Sequence, residues 1–258
     1  MDGNKIILLT GGTGSFGVGF IKLLLSKPEI EMIRVYSRNV SKQNEVRDKF
    51  KTNRVSFYIG DVRDFDRLKT AMEDCNYVVH AAALKHVPLG EVDGGEFIKT
   101  NVIGTMNVID ASQQTKIEKC LLISTDKAVE PINLYGATKM LAERLFLQAD
   151  KLRGFKPTRF SCVRYGNVVG SSGSLVETIL KAKPKDIIPI TEFNSTRFWL
   201  TVDMANQFAW DSLINMVGGE ILIPKNLKSC TVYNFVNTLK PHNATSWVGL
   251  RPGDKLHE

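Results

Sequence analysis

Cysteine is scarce in this sequence and badly placed for disulfide or zinc chemistry. The four cysteines, Cys75, Cys120, Cys162 and Cys230, form no C-x-x-C pair and have no histidine ladder beside them. A disulfide scaffold and a zinc ribbon are therefore excluded, a reducing compartment is indicated, and no metal site is expected. No apolar stretch approaches the ~20 residues of a membrane span. The first apolar run is only Ile6 to Leu9, too short for a secretory signal, so a cytoplasmic protein without membrane attachment is expected. Basic residues outnumber acidic ones, 34 to 27, but they are scattered. The one small cluster is Lys181, Lys183 and Lys185, with no basic stripe interleaved with aromatics, which speaks against nucleic acid. The sequence also lacks internal repeats and low-complexity tracts. With 43% hydrophobic and 24% charged residues it is globular, and long enough to bury a sizeable core.

What is present is an alternation of strand and helix patterns. Apolar runs at 6–9, 33–36, 55–59, 77–81, 120–123 and 160–163 read as buried parallel strands. Between them lie helical spacings: Phe16, Phe20, Leu23 and Leu24; a polar helix through Glu45 and Phe50; Phe65, Leu68 and Met72; residues 96–112; and residues 134–152. Repeated βα units predict an α/β fold, a Rossmann-like doubly wound parallel sheet covered on both faces. After Gly166 the pattern turns irregular, richer in Pro, Asn, Ser and Gly. The expectation is a dinucleotide-binding domain over 1–165 and a smaller substrate-binding region over 166–258, with some segments returning to the first.

The loop Gly11-Gly12-Thr13-Gly14-Ser15-Phe16-Gly17 joins the first strand to the first helix. Glycines at 11, 14 and 17 permit a tight turn and a close approach of backbone N–H groups to a pyrophosphate at the helix N-terminus. An acidic residue at the end of the second strand would bind the ribose hydroxyls of NAD. Here stand Ser37 and Arg38, with Lys42 just beyond, a setting that suits the 2′-phosphate of NADP. Asp61 and Val62, after the third strand, lie where an adenine edge can be read.

Tyr135 and Lys139 are four apart on the long helix and share a face. A phenol with an ordinary pKa of about 10 becomes a base when an ammonium and an oxidised nicotinamide stabilise its anion. The fifth strand ends in Ser124-Thr125-Asp126-Lys127-Ala128, at the carboxyl edge where parallel sheets bind ligands. Alone, Asp126-Lys127 reads as a surface ion pair. Beside Tyr135 it reads as catalytic.

With these residues in view, the sequence resembles the extended short-chain dehydrogenase/reductases, and within them the inverting UDP-N-acetylglucosamine 4,6-dehydratases. The resemblance is carried by TGGTGSFG at 10–17, SRNVSKQ at 37–43, AALKHVP at 82–88, STDKA at 124–128 and NLYGATK at 133–139. RYGNVVGS at 164–171, TRFW at 196–199 and RPGDKLHE at 251–258 complete it. It implies NADP as cofactor, contacted also by Ala81, Ala82 and Lys85. It implies UDP-N-acetylglucosamine or a related UDP-sugar as substrate, and a homo-oligomer. Tyr135 would be the base for the C4 hydroxyl, assisted by Lys139 and Thr125, with Lys127 as the C5 base and Asp126 as the C6 acid. Substrate contacts carried over are Lys85, Asn167, Leu175, Val176, Thr178 and Ile179, with Arg197 and Arg251 on the diphosphate. Departures from the family pattern are Ser172, Glu177 and Asp93-Gly94-Gly95, and relatives continue past the motif at 251–258. His80 and His86 read as structural, and His242 and His257 show no partner. The competing readings are a UDP-hexose 4-epimerase, which needs no acid and base for C5 and C6, a retaining dehydratase, and a non-catalytic NADP-binding module.

Overall fold

The computed structural model describes residues 4–171 and 175–258. The first half is built as βα units: β1 (Lys5–Thr10), α1 (Ser15–Leu25), β2 (Ile30–Ser37), α2 (Val40–Phe50), β3 (Val55–Ile59), α3 (Phe65–Met72) and β4 (Tyr77–His80). Two short helices, α4 (Val87–Val92) and α5 (Gly94–Ile98), lead through a π-helical turn at Lys99–Ile103 into α6 (Gly104–Gln114). Next come β5 (Lys119–Ile123), a 3₁₀ turn at Asp126–Ala128, α7 (Leu134–Leu152) and β6 (Arg159–Val163). The remainder comprises β7 (Asn167–Val169), α8 (Leu175–Lys181), β8 (Ile188–Ile190), β9 (Thr196–Thr201), α9 (Val202–Asn215), β10 (Ile221–Leu222), β11 (Lys228–Thr231), α10 (Val232–Leu239) and β12 (Thr245–Trp247). Among the described residues, no helix is long and apolar enough to cross a membrane.

Seven strands form one parallel sheet in the order β10-β6-β5-β4-β1-β2-β3. The continuous apolar runs follow from coverage on both faces. Ile7 and Leu9 of β1 point toward Phe20, Ile21, Trp210 and Leu213, whereas Leu8 between them packs with Leu68, Val108 and Phe146. The order reverses between β1 and β4, and a crevice opens there at the carboxyl edge.

Six strands and α7 occur where the sequence pattern places them. Two regions differ. The helix expected over 96–112 starts at Gly94, passes through the π turn and ends at Gln114. That turn points Asn101 at the loop after β4: its Oδ1 accepts from Leu84 N at 2.8 Å, and its Nδ2 donates to Leu84 O at 2.9 Å and Thr138 Oγ1 at 3.0 Å. The tract after Gly166 is also more regular than its composition implies. Its β10 extends the large sheet beside β6, and its α9, capped by Thr201 Oγ1, covers α1. A smaller unit remains, of β11-β9-β7 and β12-β8 around Ile179, Ile188, Ile190, Val232 and Val236, with Trp199 stacked on Phe235 at 4.0 Å.

α9 seats on α1 because Gly19 has no side chain. A Cβ there would lie 2.2 Å from Asn206 Nδ2 and 2.8 Å from Val202 Cγ1. Gly19→Leu is therefore expected to cost about 1–3 kcal/mol, the usual range for overpacking. Gly95→Ala, inside α5 with nothing within 4 Å of the added methyl, is expected to gain about 0.5–1 kcal/mol. Urea denaturation of both variants is the measurement, and equal midpoints would contradict this account of the α1–α9 contact.

Candidate active site

The crevice is a cavity of about 750 Å³. Its floor is the glycine loop. Gly11 has φ +68° and packs so tightly on the next strand's end that a Cβ would lie 2.8 Å from Ala82 N. At Gly17 a Cβ would meet the backbone of Gly12 at 2.5 Å. Gly14 caps α1 without a side-chain hydrogen bond, and no acidic residue stands in the first turn. The helix N-terminus thus faces the cavity with bare backbone, a cradle for an anion. Thr13, Ser15 and Phe16 complete the loop wall, with Ala81 and Ala82 opposite.

The end of β2 gives the cavity its positive rim. Ser37, Arg38 and Lys42 all line it, and no carboxylate stands at the strand end. Arg38 is half-exposed and reaches Asp61 Oδ2 at 3.3 Å. Asp61 is chiefly the partner of Arg63, which donates to its Oδ2 through Nε at 3.0 Å and Nη2 at 2.7 Å. Burial works to raise the Asp61 carboxyl, but the hydrogen bonds and charge of Arg63 outweigh it and hold the group below its ordinary value. Asp61 and Val62 line the cavity where the sequence placed them. Sequence reading missed Gln43. Its buried amide donates to Ser37 O at 3.0 Å, Ser37 Oγ at 3.1 Å and Tyr58 O at 3.0 Å, locking the ends of β2 and β3 together.

At the far end, β5 and the first turn of α7 converge. Asn133 caps α7 by accepting from Gly136 N at 2.7 Å. This fixes Tyr135 and Lys139 on the cavity wall. The phenol is hydrogen-bonded to Thr125, whose hydroxyl donates to Asp126 Oδ1 at 3.0 Å. Asp126 is buried behind this pair, and its Oδ2 has no partner among the described residues. Lys127 Nζ donates to Asp126 Oδ1 at 3.1 Å and to Asn167 Oδ1, at the start of β7, at 3.0 Å. The Glu258 carboxylate pairs with it by charge, its Oε1 lying 3.2 Å away. Glu258 was not among the residues singled out from the sequence, and nothing in local spacing signals its arrival here.

In the chain alone, burial and the Asp126 charge hold the Tyr135 phenol well above the ordinary tyrosine value, with only the Thr125 hydrogen bond working downward. Lys139 does not offset this, because its Nζ donates to Ile123 O at 2.7 Å. Its own amine is pulled from 10.5 to about 8, mainly by burial and against the nearby Glu143 charge. Glu143 lies one turn on, accepts from Ser124 Oγ at 2.6 Å, and pairs with Arg164 through both carboxylate oxygens.

The carried-over substrate contacts divide. Lys85, Asn167 and Leu175 line the cavity. Ile179 does not: it is fully buried in the smaller unit's core, and Val176, 1% exposed, is buried too, because α8 turns its apolar face that way. Thr178 is on the exposed face of α8. Arg197 donates to the carbonyls of Thr196, Lys255 and Leu256, so its guanidinium ties down the segment 251–258. Arg251 is 57% exposed at its side chain and held by Asp254 at 2.9 Å. Neither arginine is among the residues lining the cavity. Glu177 pairs with Lys181 at 2.6 Å and its charge reaches Lys85, whose amine partial burial lowers. Ser172 lies outside the described residues. His80 is structural, held between Thr10 Oγ1 at 2.7 Å and Thr105 Oγ1 at 3.1 Å and kept neutral by burial. His257 does have a partner, Thr196 Oγ1 at 2.9 Å.

Comparison with known proteins gives concordant results. Residues 7–258 match the family described as polysaccharide biosynthesis protein. The chain is 46% identical over 260 residues to UDP-N-acetylglucosamine 4,6-dehydratase (inverting) of Campylobacter jejuni subsp. jejuni serotype O:23/36 (strain 81-176), covering 100% of this chain and 78% of that protein. It is 36% identical over 263 residues to UDP-glucose 4-epimerase of Rickettsia rickettsii (strain Sheila Smith), covering 99% and 77%. Among solved structures, Pen from Bacillus thuringiensis superposes with a TM-score of 0.92 at 34% identity, covering 98% of this chain and 82% of that one.

The depressed Lys139 amine has a consequence for stability. Below its folded value of about 8, both the folded and unfolded chains hold the proton, and the cost of burying charge is full. Between there and the ~10.4 of an unfolded lysine, only the unfolded chain keeps the proton, so stability rises with pH. Relative to Lys139→Met, the wild type is expected to gain stability as pH increases from about 7 to about 10. Urea denaturation at both pH values measures this, and a difference that stays constant would refute the burial account.

Proposed function

Because the chain belongs to the polysaccharide biosynthesis protein family, we propose that it is a nucleotide-sugar 4,6-dehydratase acting on UDP-N-acetylglucosamine with inversion at C5. The observation that carries the proposal is the hydrogen-bonded series Tyr135, Thr125, Asp126, Lys127, in which Tyr135, Thr125 and Lys127 line the cavity and Asp126 lies buried behind them. Oxidation and reduction at C4, as in epimerisation, use the first two groups. Loss of water across C5 and C6 needs an acid and a base in addition, and Asp126 and Lys127 are of those types. The name of the Campylobacter relative agrees with this reading. The Rickettsia relative favours 4-epimerisation as the second reading.

The bare N-terminus of α1, the glycine cradle and the Arg38–Lys42 rim fit a dinucleotide with a 2′-phosphate, so NADP is the proposed cofactor. Gly11, Thr13, Gly14, Ser15, Phe16 and Gly17 would hold its pyrophosphate. When bound, it supplies acceptance of a hydride from C4 and its return to C6. The protein handles the protons. The Thr125 hydroxyl is hydrogen-bonded both to the phenol and to Asp126, so a proton leaving Tyr135 can be relayed through it to the carboxylate. Tyr135 then takes the proton of the C4 hydroxyl, and Asp126 holds one to deliver to the C6 hydroxyl as water leaves. Each turnover returns Asp126 to a carboxylate. Lys127, in its unprotonated form, removes the C5 proton and releases it to solvent, and a proton from solvent is restored to C5 on the opposite face. Lys85 and Asn167, on the cavity wall, would contact the sugar nucleotide, and the fold family's homo-oligomer is proposed for this chain as well.

Incubation with UDP-N-acetylglucosamine and NADP⁺ in D₂O, followed by proton NMR, tests the reading. A C6 methyl signal with deuterium at C5 is expected, and Tyr135→Phe should slow it by about 10²–10⁴-fold. A C4-epimerised sugar that keeps its C6 hydroxyl would replace dehydration with epimerisation. The cofactor is tested separately by titration. NADP⁺ should bind more tightly than NAD⁺, and Arg38→Ala should weaken NADP⁺ alone by about tenfold. The substitution leaves Asp61 paired with Arg63, so equal losses for both cofactors would contradict the assignment.

A further inference from the structure

Glu258 is an unexpected presence beside the proposed base. Its side chain is 3% exposed, and its Oε2 is buried with no hydrogen-bond partner among the described residues. It is delivered by the segment 251–258, which runs back across the catalytic end of the sheet. That segment is tied at several points. Asn133 Nδ2 donates to Gly253 O at 2.8 Å, Lys255 Nζ donates to Val129 O at 2.5 Å, and Thr196 N donates to Leu256 O at 3.0 Å. Gly253, at φ +84°, lets the chain turn against α7, since a Cβ there would lie 2.8 Å from Asn133 Cβ. A strap fixed this firmly places its last carboxylate in one position.

We infer that Glu258 is a positioning residue for Lys127: its fixed carboxylate, paired by charge with the ε-amino group, keeps that group at the cavity wall beside its two hydrogen-bond acceptors. Lys127 Nζ donates to Asp126 at 3.1 Å and to Asn167 at 3.0 Å, and the Glu258 carboxylate pairs with it by charge at 3.2 Å, so the nitrogen is approached by three fixed partners. Without the charge partner, the flexible four-carbon stem is held by two hydrogen bonds alone. Arg197 Nε at 3.8 Å and Lys255 Nζ at 3.9 Å add two further cations around Glu258. The other titratable group facing this cluster is the Tyr135 phenol, which feels the charge of both Asp126 and Glu258. The inference rests on the dehydratase reading for the chemistry Lys127 performs, but the placement of Glu258 is independent of it.

The test uses the full chain with Glu258→Gln, in two assays. In single turnover with NADP⁺ and UDP-N-acetylglucosamine, oxidation at C4, read from the absorbance of the reduced nicotinamide, should keep its wild-type rate. Exchange of the C5 proton with solvent deuterium should fall by about 10²-fold, the cost of a misplaced catalytic group. Equal losses in both steps would show a merely structural role, and no loss in either would also overturn the inference. The second assay needs no substrate. Acylation of Lys127 by acetic anhydride, followed by mass spectrometry and normalised to the exposed Lys181, should quicken several-fold in Glu258→Gln, because an anion beside the amine is lost. An unchanged rate overturns the inference. If the wild type fails to dehydrate the sugar, the proposed function falls while this second assay still decides the role of Glu258.

Discussion

A flexible lysine amine in a half-closed cavity is placed by the fixed partners around it, and much of this site is arranged around Lys127, whose Nζ donates to Asp126 and Asn167 and pairs by charge with Glu258. Asp126 is its chain neighbour, but Asn167 comes from the start of β7 and Glu258 from the strap. The smaller unit and the end of the chain are thereby tied to the carboxyl edge of the large sheet through one nitrogen atom. Removing Lys127 would take the ammonium partner from two buried carboxylates at once, which is more costly than the loss of a surface ion pair.

Beneath the cavity lies a second buried charge group. Lys139, Glu143 and Arg164 stack behind β5, with Ser124 donating to Glu143 and Lys139 donating to the backbone of Ile123. The effect is a layering. The upper layer of Tyr135, Thr125, Asp126 and Lys127 can exchange protons, and the lower layer is fixed by charge-assisted hydrogen bonds. Lys139 belongs to the lower layer in this state: it supports β5 rather than the phenol. A positive charge delivered to the cavity by a bound cofactor would then be the term that brings Tyr135 down toward a useful range.

Local pattern was enough to place the strands of the first 165 residues, the glycine loop and the limits of α7. These depend on periodicity, on turn chemistry and on caps such as Asn133, all of which lie within a few residues of the structure they specify. The Tyr135–Lys139 spacing and the Thr125-Asp126-Lys127 run were visible for the same reason. What was not legible depends on distant parts of the chain. Ile179 faces a core assembled from β8 and α10, Val176 is buried as well, and Arg197 is occupied by carbonyls some sixty residues away. α9 carries a helical pattern of its own, with Ala205, Ala209 and Leu213 on one face, but the turn residues around it masked the signal. The raised Tyr135 follows from burial and two carboxylates, one of which, Glu258, is distant in sequence.

The strap also sets an order of assembly. The residues that make the dinucleotide cradle lie close together in sequence, so that half can close early. The contacts that complete the proposed catalytic group span 126 residues from Lys255 to Val129 and 120 from Gly253 to Asn133. Contacts of such separation form late, because a long loop must close before they are rewarded. A chain emerging from the ribosome would thus acquire a place for its cofactor well before Lys127 acquires its last partner, and the capacity to bind precedes the capacity to react.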